Sequence, residues 1–142
     1  MTQLPPSARA LIETETLAHL VTLAADGSPR ITLIWVGLEG DEIVAGHLDK
    51  DQPKLRRIAR DPRVALSLQS PTTNEIGLNE YLVIRGTARL QEGGAPELLQ
   101  RLAHTYLGPE VIFPPMPDPP QGVVSRITVE YIGGVGPWTE GR

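Results

Sequence analysis

Lys50 and Lys54 are the only lysines in a chain of 142 residues, and they stand four positions apart in one run, HLDKDQPKLRRIARDPR. The same run, positions 47–63, carries Arg56, Arg57, Arg60 and Arg63. Cations gathered this closely are suited to holding an anion. Asp51 reads as an N-cap, Pro53 fits a first helical turn, and Leu55, Ile58 and Ala59 form a helical stripe that Asp61-Pro62 stops. A helix starting near Gln52 presents unpaired backbone N–H groups and a partial positive charge. That end of the dipole repels Lys54 unless an anion such as a phosphate sits between them. Lys50 reaches the same place from upstream, and Arg56 and Arg57, on other sides of the helix, suit an extended anionic tail. The competing reading is a solvated helix face whose arginines support Asp49, Asp51 and Asp61.

The rest of the chain makes any such site local. The net charge is -4 and the pI about 5.3, a global field that favours neither nucleic acid nor an anionic membrane surface. The absence of cysteine excludes a disulfide framework, a thiolate metal site and a cysteine nucleophile. No apolar run approaches the ~20 residues that span a bilayer, and MTQLPPSARALIETE lacks the order of a signal peptide. A cytoplasmic protein is expected. His19, His47 and His104 have no metal-site spacing.

The elements that must position the cations are mostly strands. Ser7 can cap a short helix through Ala8 to Glu15. HLVTLAA, the turn Asp26-Gly27, PRITLIWVGL, the turn Glu39-Gly40-Asp41 and EIVAGHL read as a three-stranded meander. After the basic helix, RVALSLQS is a fourth strand, PTTNEIGLN a polar loop and EYLVIRGTARLQ a long strand. Gly93-Gly94 breaks the chain, and Pro96 opens a helix with Leu98, Leu99, Leu102, Ala103, Tyr106 and Leu107 on its apolar face and Gly108 as its stop. The proline-rich residues 109–122 make an ordered surface loop, VVSRITVEYIGG is the last strand, and the tail VGPWTEGR follows. The expectation is one domain over residues 1–142: mainly β, a small antiparallel barrel with flanking helices.

The order of DGSPRITLIW, KDQPKLRRIARDPRVALSL, EYLVIRGTARL and LLQRLAHTYLG resembles the flavin-binding split-barrel family typified by pyridoxamine 5'-phosphate oxidase. More narrowly, it is similar to the actinobacterial branch of deazaflavin (F420)-dependent oxidoreductases. The resemblance implies a six-stranded antiparallel split β-barrel that pairs as a homodimer, with cofactor grooves between subunits. It implies that the cofactor ring lies against Thr32, Leu33, Ile34 and Trp35 and the strand edge Gly46, His47 and Leu48. The phosphate would be held where that strand meets the basic helix. Lys54 falls on the family's phosphate-binding lysine, with Lys50, Arg56 and Arg57 beside it. This agrees with the independent argument from the helix dipole. The sequence departs from its relatives in two places: His47-Leu48 replaces small hydroxyl residues, and Arg57 stands where asparagine is common.

Other residues carry two readings each. Trp35 is either core or cofactor platform. Trp138, in a polar tail that no core pattern demands, suits a ring or a dimer contact, in the partner's site by preference. His47 can hydrogen-bond the cofactor or satisfy a strand end. His19, His104 and Tyr106 read as structural, and Arg85 as a partner for a surface carboxylate. The loop containing Ile112, Phe113 and Met116 lines a substrate pocket or simply connects.

The implied activity is hydride transfer between reduced F420 and an unsaturated or quinone-like small molecule. The alternatives are an FMN-binding oxidase-like protein, or a non-catalytic protein that binds or stores F420, haem or a fatty-acid-like ligand.

Overall fold

The computed structural model describes residues 3–139. In chain order these form α1 (Pro6–Ile12), β1 (Ala18–Leu23), β2 (Pro29–Ile34), β3 (Gly37–Glu39), β4 (Glu42–His47), α2 (Pro53–Arg60), β5 (Arg63–Thr73), β6 (Asn79–Glu92), α3 (Ala95–Tyr106) and β7 (Val123–Val135), followed by a 3-10 turn at Pro137–Thr139. The fold is mainly β, with one antiparallel sheet and flanking helices. The strand order is β2-β1-β5-β6-β7-β4-β3. Among the described residues no helix is long and apolar enough to cross a membrane.

The first and last strands in that order are consecutive in sequence. Only Trp35 and Val36 separate β2 from β3. The sheet therefore curls until both of its outer strands come from one stretch of chain, and the barrel acquires a seam at those two residues. This corrects the expected six strands to seven. PRITLIWVGL is not one strand, because its first half pairs with β1 (Ile34 opposite Ala18) and its second half with β4 (Gly37 opposite Val44). A chain that changes partner must leave the ladder in between.

Tyr106, at the end of α3, supplies what the ladder cannot. Its hydroxyl accepts from the Val36 N–H at 3.1 Å and donates to the Thr16 carbonyl at 2.8 Å. Its ring stacks on Trp35, with centroids 5.4 Å apart and planes 9° from parallel. Burial raises the phenol's pKa above its ordinary value, opposed by the hydrogen bond from Val36, so the hydroxyl remains protonated and able to donate.

Three other boundaries differ from the sequence reading. The N-cap of α2 is Gln52, not Asp51, and α1 starts at Pro6 with Ser7 inside it; neither helix has a side-chain cap. A proline at the first position has no N–H to satisfy, which lessens the need for one. Strand β5 continues through Thr73 into the expected loop. Thr72 Oγ1 donates to Glu80 Oε1 across the hairpin, and Asn74 Oδ1 accepts from the N–H groups of Ile76 and Leu78, so the loop shrinks to its tip.

Alternation along the strands fills the barrel. Leu20, Ile43, Leu66, Leu68, Leu82, Ile84 and Ile127 form one core with Ile12 of α1. A smaller cluster of Val44, Leu98, Leu102 and Val124 lies under α3, with Trp35 and Tyr106 packed against it. Gly46 permits this close approach: a Cβ there would stand 2.9 Å from Leu99 Cγ and 3.3 Å from the Ala95 carbonyl oxygen.

Tyr106→Phe keeps the ring and removes the hydroxyl. The Val36 N–H then loses its acceptor, and urea denaturation should show a loss of about 1–3 kcal/mol, the cost of an unsatisfied buried donor. An unchanged midpoint would mean that water satisfies the seam unaided.

Candidate functional site

A pocket of about 260 Å³ lies where the seam, β4, the start of α2 and the proline-rich loop meet. It is lined by Leu17, Leu33, Ile34, Trp35, Gly46, His47, Lys54, Leu99 and Phe113. Six of the residues expected to touch a cofactor are thus brought together: Leu33, Ile34, Trp35, Gly46, His47 and Lys54.

The charged end of this pocket is built on β4 and α2. The side chain of Lys54, in the first turn of α2, makes no ion pair or hydrogen bond among the described residues. Its pKa is lowered, first by burial and then by the charge of Arg57. A partly buried ammonium with no carboxylate is costly, and a bound anion would relieve it. His47 is buried and its Nε2 lies 3.0 Å from Ser125 Oγ. Burial, followed by the charge of Lys54, pushes its pKa down to about 4, so the ring is neutral at pH 7.

Positive charge continues outward from Lys54. Arg57 Nε donates to Thr22 Oγ1 at 2.7 Å, Arg60 to the Leu23 carbonyl, and Arg30 to Ser28 Oγ. The pKa of Arg57 is lowered by desolvation and then by Arg30, Arg60 and Arg56. Among the described residues none of these four arginines forms a salt bridge. Arg63, at the end of the same run, pairs with Asp61, and Arg9, Arg89, Arg101 and Arg126, elsewhere on the chain, also form salt bridges.

The aromatic end is built on the seam. Tyr106 covers one face of Trp35, and Phe113 packs against Trp35 at 5.2 Å with a tilt of 56°. Near Trp35 in the chain, Thr32 Oγ1 is buried without a hydrogen-bond partner, an orphaned polar atom on the strand expected to carry the cofactor ring.

Six expected residues do not line this pocket: Thr32 and Arg57, already placed, and Leu48, Lys50, Arg56 and Trp138. Leu48 and Lys50 line a neighbouring cleft of about 670 Å³ that also contains Asp49, Asp51 and Glu92. It is the larger cavity, but its carboxylates suit an anion poorly. Arg56 donates to the Asp51 carbonyl at 2.7 Å and so braces its own loop. Trp138 is only 4 % exposed and belongs to the main core. Its Nε1 donates to the Tyr81 carbonyl at 3.2 Å. The tail reading is corrected here: the 3-10 turn folds this tryptophan back onto the barrel, while the rest of the tail, residues 140–142, lies outside the described residues. Arg85, expected to meet a carboxylate, lies 4.0 Å over the Tyr131 ring. Leu17 and Leu99 line the pocket without having been expected to, and of the loop residues with two readings Phe113 is the one that lines it. Phe113 carried one signal, as the chain's only phenylalanine, set within a run of prolines.

An antiparallel barrel with an aromatic seam and a basic helix at its strand ends defines a split-barrel protein. Residues 4–136 match the family described as pyridoxamine 5'-phosphate oxidase, and the chain belongs to that family. No curated protein matches it at significant similarity. Among solved structures it is similar to an F420 reductase, at 25% identity and a TM-score of 0.74, over 91% of this chain and 98% of the reductase. A conserved hypothetical protein from Mycobacterium tuberculosis is 21% identical, with a TM-score of 0.70 over 94% of this chain and 89% of its own. HupZ from Group A Streptococcus is 21% identical, with a TM-score of 0.63 over 94% of each chain. At their identities the last two share the fold.

The lowered pKa of His47 has a stability consequence. In the unfolded chain the imidazole titrates near 6.5, in the fold near 4. Between these values the unfolded state takes up a proton that the folded state refuses, so stability falls with the pH, by up to ~3 kcal/mol across the window. His47→Gln can still bond Ser125 but does not titrate. Its stability deficit relative to wild type, from urea denaturation at pH 7 and 4.5, should shrink on acidification. A deficit independent of pH would remove His47 as the source.

Proposed function

We propose that this protein is an F420-binding oxidoreductase. The observation that carries the reading is the unpaired, partly buried Lys54 ammonium at the head of α2, opening into a pocket whose other wall is aromatic. The family and the similarity to an F420 reductase support it. When bound, the reduced deazaflavin supplies a hydride from C5 to an unsaturated or quinone-like acceptor, which takes its proton from solvent.

The chain's own residues bind and orient. Lys54 would hold the phosphate, helped by the positive end of the α2 dipole. Neutral His47, held by Ser125, offers a further hydrogen bond without adding to the repulsion at Lys54. Arg57, Arg30 and Arg60 offer carboxylates of an anionic tail a path along which none of the three forms a salt bridge among the described residues. Leu33, Ile34, Trp35 and Gly46 form the bed for the ring.

The outward face of the sheet fits a homodimer. Ile31 is 66 % and Leu33 56 % exposed on β2, and Tyr81 and Tyr131 are exposed further along the sheet. Leu33 also lines the pocket, so a second copy covering this face would help enclose the ligand. The reading is of one cytoplasmic split-barrel domain over residues 1–142 that works as a pair.

Fluorescence titration with F420, with FMN in parallel, tests the cofactor. F420 should bind more tightly, and Lys54→Ala should weaken it by at least ~1.5 kcal/mol, more than tenfold, as a lost charge-assisted hydrogen bond does. Unchanged affinity in the variant would end the role of Lys54, and tighter FMN binding would move the protein to flavin chemistry. Sedimentation at micromolar concentration tests the dimer, and a monomer there would refute it.

A further inference from the structure

One side chain makes two hydrogen bonds to the backbone of the loop that carries Phe113. Gln100, on α3, uses both ends of its amide. Its Oε1 accepts from the Phe113 N–H at 2.9 Å, and its Nε2 donates to the Val111 carbonyl at 2.8 Å. The same Nε2 lies 3.0 Å from His104 Nε2. An amide nitrogen can only donate, so His104 accepts there and carries its proton on Nδ1. The residue between the two tethered positions, Ile112, is 81 % exposed. Burial of Ile112 therefore does not hold the loop. The amide clamp, the contact of Phe113 with Trp35 and the burial of Pro114 do.

The outcome is a wall of three rings fixed at both ends. Tyr106 is pinned by its hydroxyl in the seam, Trp35 stacks on it, and Phe113 leans on Trp35 under the clamp of Gln100. The wall bounds the same pocket as Lys54 and His47, and neither Trp35 nor Phe113 brings a charge to it. Rings so arranged favour a further ring stacked with an offset or packed edge to face.

We propose that Phe113 forms the acceptor side of this pocket and selects planar, conjugated ring compounds such as quinones, and that Gln100 is its positioning residue. The assignment rests on reading the pocket as an oxidoreductase site. The selectivity itself needs no cofactor to be observed.

The test titrates cofactor-free protein with 2-methyl-1,4-naphthoquinone, following tryptophan fluorescence, and measures cyclohexenone binding by calorimetry as the small non-aromatic comparison. Wild type should show saturable quenching by the quinone. Phe113→Ala should weaken quinone binding about three- to tenfold, the worth of one aromatic pair, and leave cyclohexenone unchanged. Gln100→Leu should act in the same direction. Gln100→Glu, which keeps the acceptor for the Phe113 N–H, should recover part of the loss, as a merely destabilised helix would not. Equal quinone affinity in wild type and Phe113→Ala, or an equal loss for both ligands, overturns the proposal. F420 titration of the same proteins separates the two readings. Phe113-dependent quinone binding without F420 binding upholds the wall and refutes the cofactor. F420 binding with quinone affinity indifferent to Phe113 does the reverse.

Discussion

The structure depends on the fact that one stretch of chain must supply both outer strands of the sheet. A sheet of this order can curl into a barrel only if the chain crosses from one edge to the other in very few residues. Trp35 and Val36 make that crossing. Their backbone cannot join either ladder, and a buried polar group without a partner is expensive. Tyr106 resolves this with one hydroxyl and, with its ring, fixes the direction of Trp35. The pocket wall is thus a by-product of closing the barrel. Side chains that would elsewhere be packing residues become the rigid face of a cavity because the strand breaks beside them.

The second constraint is electrostatic. An acidic chain has carboxylates to spare, and it places them beside five of its arginines. Around the head of α2 it places few. Arg57 and Arg60 rest on a hydroxyl and a carbonyl oxygen and Arg30 on Ser28 Oγ, while Asp61 at the far end of the helix pairs with Arg63 and feels Arg60, and Asp26 feels Arg30. Close cations repel, so this arrangement costs stability in the ligand-free protein. A solvated helix face would not need it, since exposed arginines can be paired or spread apart. Cations without a salt bridge at the open end of an aromatic pocket make sense as preorganisation for an anion.

Much of this was legible in the sequence, and the illegible part has a common cause. The basic run, the helix that bears it and the strands on either side announce themselves through composition and period, and six of the expected contacts meet in one pocket. The failures are residues whose role depends on where the chain turns in space. Nothing local distinguishes PRITLIWVGL from a continuous strand; the break comes from pairing with β1 and β4. Trp138 looks unneeded in a polar tail, because the periodicity that marks core residues cannot exist in a three-residue turn. Tyr106 reads as one more apolar helix position, since the donor it satisfies lies 70 residues away in sequence. Gln100 gives no signal at all: an amide on the polar side of a helix is ordinary until a loop without secondary structure lies against it.

The neutral His47 ties the two constraints together. It sits at the end of β4, where strand geometry buries it against Ser125, and it faces a lysine that the start of α2 brings near. Burial and Lys54 both disfavour its charged form, while burial and Arg57 disfavour the charge on Lys54 itself. An anion seated at Lys54 opposes both effects at once. It offsets the lysine's charge as felt by the imidazole and stabilises the ammonium directly. Binding therefore raises both pKa values, and by linkage protonation of either group strengthens binding. The electrostatic cost stored around the head of α2 in the free protein would thus be recovered on binding the proposed anion, with the aromatic wall already held in place by the seam.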